Sequence, residues 1–289
     1  MTVLLPKPAV ILTDIEGTTT SIRFWNDVLA PFILQSVADC LTEWWDREYC
    51  SDVVQIIRHR TEKDWFEGDH TIPVIAGELE PKEKIIASLV INAHFLMANK
   101  HNEAVKSLTL LVWLYGYEKG LLKGKQTLRK PFLTDYIFQG HVFKDVATSF
   151  QTWQQEKITI CTFASGSSLS QELLFCKTVH GNMQQLVTAF FDTHWLGRKS
   201  DPASYRKLAR EVNKHRSSIL FISDSIDGKF CNLGKANKIL LNFCTELEAA
   251  SKVGFTSVLI IRSHNKILLK NKFHGIKNII KEFTDLKFN

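Results

Sequence analysis

The sequence predicts an α/β fold, in which a parallel, Rossmann-like sheet forms the core and a helical domain is inserted into it. Four short segments are almost continuously apolar, and each of them ends in polar residues. Segments of this kind are typical of strands that are buried on both faces of a parallel sheet. The stretch between the first and second segments instead carries apolar residues at helical spacing. The four predicted strands are residues 9–14, 158–165, 218–224 and 256–263.

The first predicted strand leads into two acidic residues, Asp14 and Glu16, in the stretch ILTDIEGTTT. A loop that begins at Asp14 would direct both carboxylates into one pocket. Two close carboxylates repel each other unless a cation or a proton intervenes, and a hard divalent cation such as Mg²⁺ prefers oxygen ligands. Gly17 permits an unusual backbone angle at this turn. The alternative is an acidic turn whose threonines, at 18–20, cap a helix.

The inserted helical domain is predicted over residues 23–140, which leaves residues 1–22 and 141–289 for a discontinuous α/β core. The helical pattern is clear over residues 24–49 and continues over residues 80–117. We interpret its apolar and aromatic residues as core. The positions that define the first helix are Leu29, Phe32, Ile33, Val37, Leu41, Trp44 and Trp45.

Polar residues also stand at the ends of the second and third predicted strands. Ser165 and Gly166 form a turn before a predicted helix, which is a common anion-binding arrangement. Asp224 ends the third strand, and Lys199 precedes a helix that we expect to begin near Pro202. Because ligands bind beyond the carboxyl ends of strands in open α/β sheets, we expect these residues to converge on one site. The alternatives are plain helix capping by the serine turn and a solvated surface charge for the lysine.

The composition is that of a globular protein with a sizeable core, since hydrophobic residues make up 45% of the 289 residues. No apolar run reaches the roughly 18–20 residues of a membrane span, and the N-terminal stretch is a poor signal peptide. The six cysteines form no CxxC pair, which favours reduced thiols in an intracellular protein. We therefore expect a protein of the cytoplasm, or also of the nucleus, that contacts no membrane.

The chain supplies, in order, an acid pair, a hydroxyl turn, a lysine and a further acid. This order resembles that of the haloacid dehalogenase-type phosphatases. Most of them carry an aspartate two residues after the first aspartate, whereas DIEGTTTSI has Glu16 there and resembles the enolase-phosphatase E1 family of methionine salvage. The stretches FDT at 191–193, Gly-x-Lys ending at Lys199, SYRK at 204–207 and ILF…D at 219–224 also fit this family. The resemblance covers most of the chain and is loosest in the helical segment.

The resemblance implies that Asp14 is the nucleophile that attacks phosphorus and forms an aspartyl-phosphate. Glu16 would protonate the leaving oxygen and later activate water. One Mg²⁺ per chain would be held by Asp14 and Asp224, with Glu16 also in its coordination shell, and would offset charge on the transferring phosphoryl group. Lys199 would stabilise the developing charge. The helical domain would be a haloacid dehalogenase-like cap that closes over the substrate.

The resemblance also implies a phosphate-binding turn made of Ala164, Ser165 and Gly166, together with Lys199. The family reads Ser-Ser-Gly at this turn, so Ala164 removes one hydroxyl group. A lost hydrogen bond to a charged group costs roughly 1.5–3 kcal/mol. We therefore expect weaker phosphate binding or a slower reaction if that hydroxyl normally binds phosphate.

The implied reaction is bifunctional. It enolises 2,3-diketo-5-methylthiopentyl 1-phosphate and then removes the phosphate to leave an acireductone. The expected partner is thus a phosphorylated small molecule, and we expect a monomer that binds no nucleic acid. Two alternatives stay open: another Mg²⁺-dependent small-molecule phosphatase of the same superfamily, or a catalytically impaired paralogue that binds metabolites or a protein.

Two segments depart from the family pattern, residues 228–245 and 125–140. Each has a Gly-Lys pair at its start, which can be encoded with a splice-donor sequence, and removal of the first segment joins Asp227 to Glu246 in frame. We interpret them as retained introns, with genuine surface insertions as the alternative. Together they hold five of the six net positive charges. The positive charge is therefore weak evidence for a nucleic-acid partner.

Overall fold

The structure is a computed structural model that describes residues 2–99, 103–121, 140–224, 246–263 and 277–289. The chain divides into two compact units, Met1–Ile22 with Gly140–Asn289 and Arg23–Gln139. Both segments that we interpret as retained introns lie outside the described residues, except for Gly140. That the smaller unit acts as a cap stays a prediction.

The larger unit contains a six-stranded sheet in which every neighbouring pair of strands is parallel. The strand order is β4-β3-β2-β5-β6-β7, and the first strand of the chain, β1, pairs instead with β8 in a small second sheet. The two central strands, β2 and β5, are buried along their whole length. The strands are β1 Val3–Leu5, β2 Val10–Thr13, β3 Thr159–Ala164, β4 Ala189–Asp192, β5 Ile219–Ser223, β6 Thr256–Ile260, β7 Asn278–Ile280 and β8 Leu286–Phe288.

The predicted α/β class with a parallel sheet is confirmed, and all four predicted strands are present as β2, β3, β5 and β6. The sequence did not reveal the outer strands β4 and β7 or the β1–β8 pair. These strands have only three or four residues, and most of their side chains are half-buried or exposed. Their apolar runs are therefore too short to stand out from the neighbouring loops.

The helices of the larger unit place polar residues next to the strand ends. Ser167 caps α6, because its hydroxyl oxygen accepts a hydrogen bond from the Ser170 amide. Asp201 caps α8 in the same way, and Pro202 occupies the first turn as predicted. The helices are α5 Lys144–Gln155, α6 Ser168–Cys176, α7 Thr193–Leu196, α8 Pro202–Glu211 and α9 Glu246–Val253, with short 3₁₀ turns at Gln184–Leu186, Arg216–Ser218 and Phe283–Asp285.

The smaller unit is helical, as predicted. A π-helical turn, Phe24–Leu29, leads directly into α1, and the buried face of this region contains the predicted apolar residues, although Trp45 is only half-buried. A buried asparagine, Asn92, donates hydrogen bonds to the Thr61 hydroxyl and to the Pro73 carbonyl. The helices are α1 Ala30–Trp44, α2 Glu48–Phe66, α3 Lys82–Asn99 and α4 Glu103–Glu118.

Within the part of the chain that the structure describes, no helix has the length and the apolar character that a membrane crossing requires. Four of the six cysteines lie in this part, and all four are free thiols: Cys40, Cys50, Cys161 and Cys176.

Candidate active site

The first predicted acid, Asp14, lies immediately after the central strand β2. Its amide donates to the carbonyl of Ile222 on β5 at 2.9 Å, so the backbone is still held by the sheet at this point. One carboxylate oxygen, Oδ1, accepts a hydrogen bond from the Ile15 amide at 2.8 Å. The residue is only 7% exposed. The strand end therefore fixes the carboxylate in a largely buried position.

Lys199 is a buried cation that contacts two carboxylates. Its Nζ lies 2.7 Å from Asp14 Oδ1 and 2.7 Å from Glu246 Oε2, and the lysine side chain is 9% exposed. Burial acts to lower the pKa of the amine, but the charges of Asp14 and Glu246 outweigh burial and raise this pKa above its ordinary value. The lysine is therefore held in its charged form, and the alternative of a solvated surface lysine is wrong.

Glu246 is the residue of this cluster that the sequence did not reveal. It is the first residue of α9, and its Oε2 also accepts a hydrogen bond from the Ser223 hydroxyl at 3.1 Å. Burial raises the pKa of this carboxyl group, and the charge of Asp14 raises it further. In the sequence, Glu246 is separated from the strand-end acid Asp224 by residues 225–245. One feature of the sequence could have pointed to Glu246: when residues 228–245 are removed, the in-frame junction places Glu246 four positions after Asp224.

Asp224 follows β5 and is bound to the turn that follows Asp14. The Asp224 amide donates a hydrogen bond to the hydroxyl of Thr18 at 2.9 Å. The same hydroxyl donates to Asp224 Oδ1 at 3.2 Å. Burial raises the pKa of the Asp224 carboxyl group to about 7, and the charge of Asp14 contributes to this shift. The site thus contains a second carboxyl group, whose charged form is disfavoured by burial and by the charge of Asp14.

Gly17 makes the close approach of Asp224 possible. Its φ angle is +77°, which L-residues rarely adopt, and a Cβ atom at this position would overlap Asp224 Oδ2 and lie 2.6 Å from Asp224 Cγ. The backbone amides of residues 18, 19 and 20 all point at one acceptor, the carbonyl of Ile15, at 2.9–3.1 Å. The threonines thus form a tight turn around Ile15, and Thr18 uses its side chain to hold Asp224 rather than to cap a helix.

The predicted phosphate-binding turn stands at the end of β3. β2 and β3 are parallel neighbours with Thr13 opposite Thr162, so the turn after β3 stands at the same edge of the sheet as Asp14. Ala164 is buried, whereas Ser165 is exposed. The side chain of Gln171 holds the turn by donating to the Gly166 carbonyl at 2.9 Å.

Glu16 is exposed, and an isolated bridge pairs it with Thr20. Its roles as proton donor and as part of the coordination shell stay predictions. The structure therefore joins Asp14 and Glu246 through Lys199, and it joins Asp224 to Thr18. Asp224 is close enough for its charge to interact with those of Asp14 and Lys199. The structure places Ala164, Ser165 and Gly166 at the end of the neighbouring strand.

The residues present fit a magnesium ion. The strand-end ligand candidates, Asp14 and Asp224, are carboxylates, whose oxygen atoms are the ligands that Mg²⁺ prefers. No group of three or more His, Cys, Asp or Glu side chains in the described ranges has the arrangement of a metal site. Mg²⁺ does not require one, because it is commonly bound through one or two carboxylates with water and substrate phosphate completing its shell.

The parallel sheet and the acid–lysine network at the carboxyl ends of its strands define an α/β protein with an enzyme-type site. No protein-family model matches the chain. An enolase-phosphatase E1 of Drosophila sechellia is 32% identical over 215 residues, which is 74% of this chain and 75% of that protein. An enolase-phosphatase E1 of Xenopus tropicalis is 29% identical over 265 residues, or 91% of this chain and 88% of that protein.

These similarities identify the chain as a member of the enolase-phosphatase E1 family. The crystal structure of the UTR4 protein of Saccharomyces cerevisiae has a similar fold, with a TM-score of 0.60 at 22% identity over 96% of this chain and 98% of that chain. The sequence similarity to the enolase-phosphatase E1 proteins confirms the predicted family resemblance.

Proposed function

We propose that the protein is a Mg²⁺-dependent phosphoric monoester hydrolase that acts as an enolase-phosphatase in methionine salvage. The observation that carries the proposal is the buried network in which Lys199 contacts Asp14 and Glu246 while Thr18 holds Asp224. Family membership supports the same function. The substrate we propose is 2,3-diketo-5-methylthiopentyl 1-phosphate, with an acireductone and phosphate as products.

Asp14 is assigned as the nucleophile. Its Oδ1 is fixed by Lys199 and by the Ile15 amide, so we assign attack on phosphorus to Oδ2. A P–O bond forms to this oxygen as the ester P–O bond breaks, and water later cleaves the aspartyl-phosphate to regenerate Asp14.

Glu16 is assigned to proton transfer. It gives a proton to the departing ester oxygen and then accepts a proton from the attacking water. Its exposure allows the carboxyl group to exchange protons with solvent.

Lys199 and the turn at the end of β3 are assigned to the phosphoryl group. The ammonium group of Lys199 stabilises negative charge on the phosphoryl oxygens, and Ser165 with the amides of the Ala164–Gly166 turn binds the same group. Asp14 and Asp224, with Glu16 in the shell, would hold Mg²⁺, which supplies charge neutralisation at the transferring group when bound.

The decisive experiment measures Mg²⁺-dependent phosphate release from the diketo phosphate ester. It compares the full chain, the chain without residues 228–245, and Asp14→Asn, with a generic phosphate ester as second substrate. Activity on the diketone that disappears in Asp14→Asn supports the proposal. Activity confined to the generic ester would instead support another phosphatase of the same superfamily.

A second candidate function is binding without catalysis. Ala164, which lacks the hydroxyl of the family pattern, favours it. The test is whether folded chains, with and without residues 228–245, bind the phosphate ester but release no phosphate. That result would overturn the enzymatic proposal and support binding without catalysis.

A further inference from the structure

Arg262 is a buried arginine close to the proposed site that has no place in the proposed reaction. It lies just after β6 and is 5% exposed. Its guanidinium carbon is 4.2 Å from the centre of the Phe143 ring and 5.4 Å from that of Phe283. A buried arginine is costly unless its donors are paired, so its hydrogen bonds indicate what it holds in place.

The guanidinium group joins two parts of the larger unit. Nη1 donates to both carboxylate oxygens of Asp145 on α5, at 3.0 and 2.9 Å. Nε and Nη2 both donate to the carbonyl oxygen of Thr18, at 3.0 and 2.9 Å. Two donors on one backbone carbonyl fix its position and its direction, and only the planar fork of an arginine supplies both from one side chain.

Thr18 connects this clamp to the acid at the end of β5. Its carbonyl is held by Arg262, and its hydroxyl lies 2.9 Å from the Asp224 amide and 3.2 Å from Asp224 Oδ1. Thr18 itself is fully buried. A shift of the Thr18 backbone therefore moves the hydroxyl that sets the position of the Asp224 carboxylate.

We propose that Arg262 is a positioning residue, which holds Asp224 in place through Thr18 and thereby sets the affinity of the site for Mg²⁺. The inference rests on the proposed function only in taking Asp224 as a magnesium ligand. Groups that orient metal ligands from behind commonly change metal affinity by about 10–100-fold when they are altered.

The test measures the dissociation constant of Mg²⁺ alone by calorimetry on the full chain. Arg262→Lys keeps the charge beside Asp145 but removes the two-donor clamp on Thr18. Thr18→Val keeps the backbone carbonyl and removes the hydroxyl, so it breaks the same connection from the other end. Arg58→Lys is the matched control, since Arg58 is a comparably buried arginine (9% exposed) in the helical unit.

We expect Arg262→Lys and Thr18→Val each to raise the Mg²⁺ dissociation constant by about 10-fold or more, with the Arg58→Lys value unchanged. A purely structural role predicts a lower melting temperature with the dissociation constant of the folded protein unchanged, and that result would overturn the inference. If Arg262→Lys does not fold, the Mg²⁺ dissociation constant of Thr18→Val decides between these two outcomes.

Failure of the proposed function gives a different pattern. If the unaltered chain binds Mg²⁺ but hydrolyses no phosphate ester, the enzymatic proposal fails, and the dissociation constants of the variants still support or overturn the role of Arg262. If the unaltered chain binds no Mg²⁺, both proposals are wrong.

Discussion

Replacement of Gly17 by alanine tests whether the close approach of Asp224 to the first turn is required for activity. The new Cβ would lie 2.6 Å from Asp224 Cγ, whereas carbon atoms normally pack at about 3.5 Å or more, so the carboxylate must move by about 1 Å. A displacement of this size in a catalytic group can cost about 100-fold in rate. The φ angle of +77° adds backbone strain of roughly 1–2 kcal/mol for any L-side chain.

The matched control is Gly181→Ala. Gly181 has a similar φ of +86°, but its Cβ would meet no atom within 4 Å, so the control carries the backbone strain without the steric contact. The assay is Mg²⁺-dependent phosphate release over a range of Mg²⁺ and substrate concentrations, together with thermal unfolding. We expect kcat/KM to fall about 100-fold in Gly17→Ala and to stay within about threefold in Gly181→Ala. Equal kcat/KM values for the two folded variants would refute the reasoning.

Three further predictions concern other parts of the larger unit. Lys199→Met leaves the buried Asp14 and the half-buried Glu246 without their cation, so we expect the unfolding free energy to fall by about 3–5 kcal/mol and kcat to fall by about 10²–10³. Adding Glu246→Gln should restore stability but not kcat, and recovery of kcat would contradict the assignment. Ala164→Ser should lower KM for the phosphate ester about 10-fold at an unchanged melting temperature, and an unchanged KM would show that this hydroxyl does not bind phosphate. Burial raises the pKa of the Cys161 thiol to about 12. We therefore expect iodoacetamide at pH 8 to alkylate the half-buried Cys176 at least about 10-fold faster than Cys161, as measured by mass spectrometry of the two peptides. Equal alkylation rates would contradict the burial of Cys161.

The sheet could be predicted from the sequence where a strand is central. The runs that form β2, β3, β5 and β6 are almost entirely buried, and each is therefore almost continuously apolar. The outer strands β4 and β7 are covered less completely, and their short segments carry no such signal. Burial, rather than strand formation itself, is therefore what the pattern of apolar residues reports.

The proposed site was predictable to the extent that its residues follow strands or precede helices. Asp14, Asp224 and Lys199 have such positions, and in the structure Lys199 contacts Asp14 directly. Glu246 and Arg262 have comparable positions, but their residue types do not single them out there. A glutamate at a helix start and an arginine beyond a strand are ordinary surface features in a sequence. Only the tertiary contacts of Glu246 with Lys199 and of Arg262 with Thr18 show that these two are functional candidates.

The position of Glu246 bears on residues 228–245. The Ser223 hydroxyl lies 3.1 Å from Glu246 Oε2, so covalent geometry limits the separation of the two α carbons to about 10–11 Å. If residues 228–245 were removed, residues 224–227 would still connect Ser223 to Glu246, and an extended connection of that length reaches about 17 Å. The shortened chain can therefore keep Glu246 against Lys199 without moving β5 or α9. This is why we expect the chain without residues 228–245 to fold with the acid–lysine network intact, whether that segment is a retained intron or a genuine insertion.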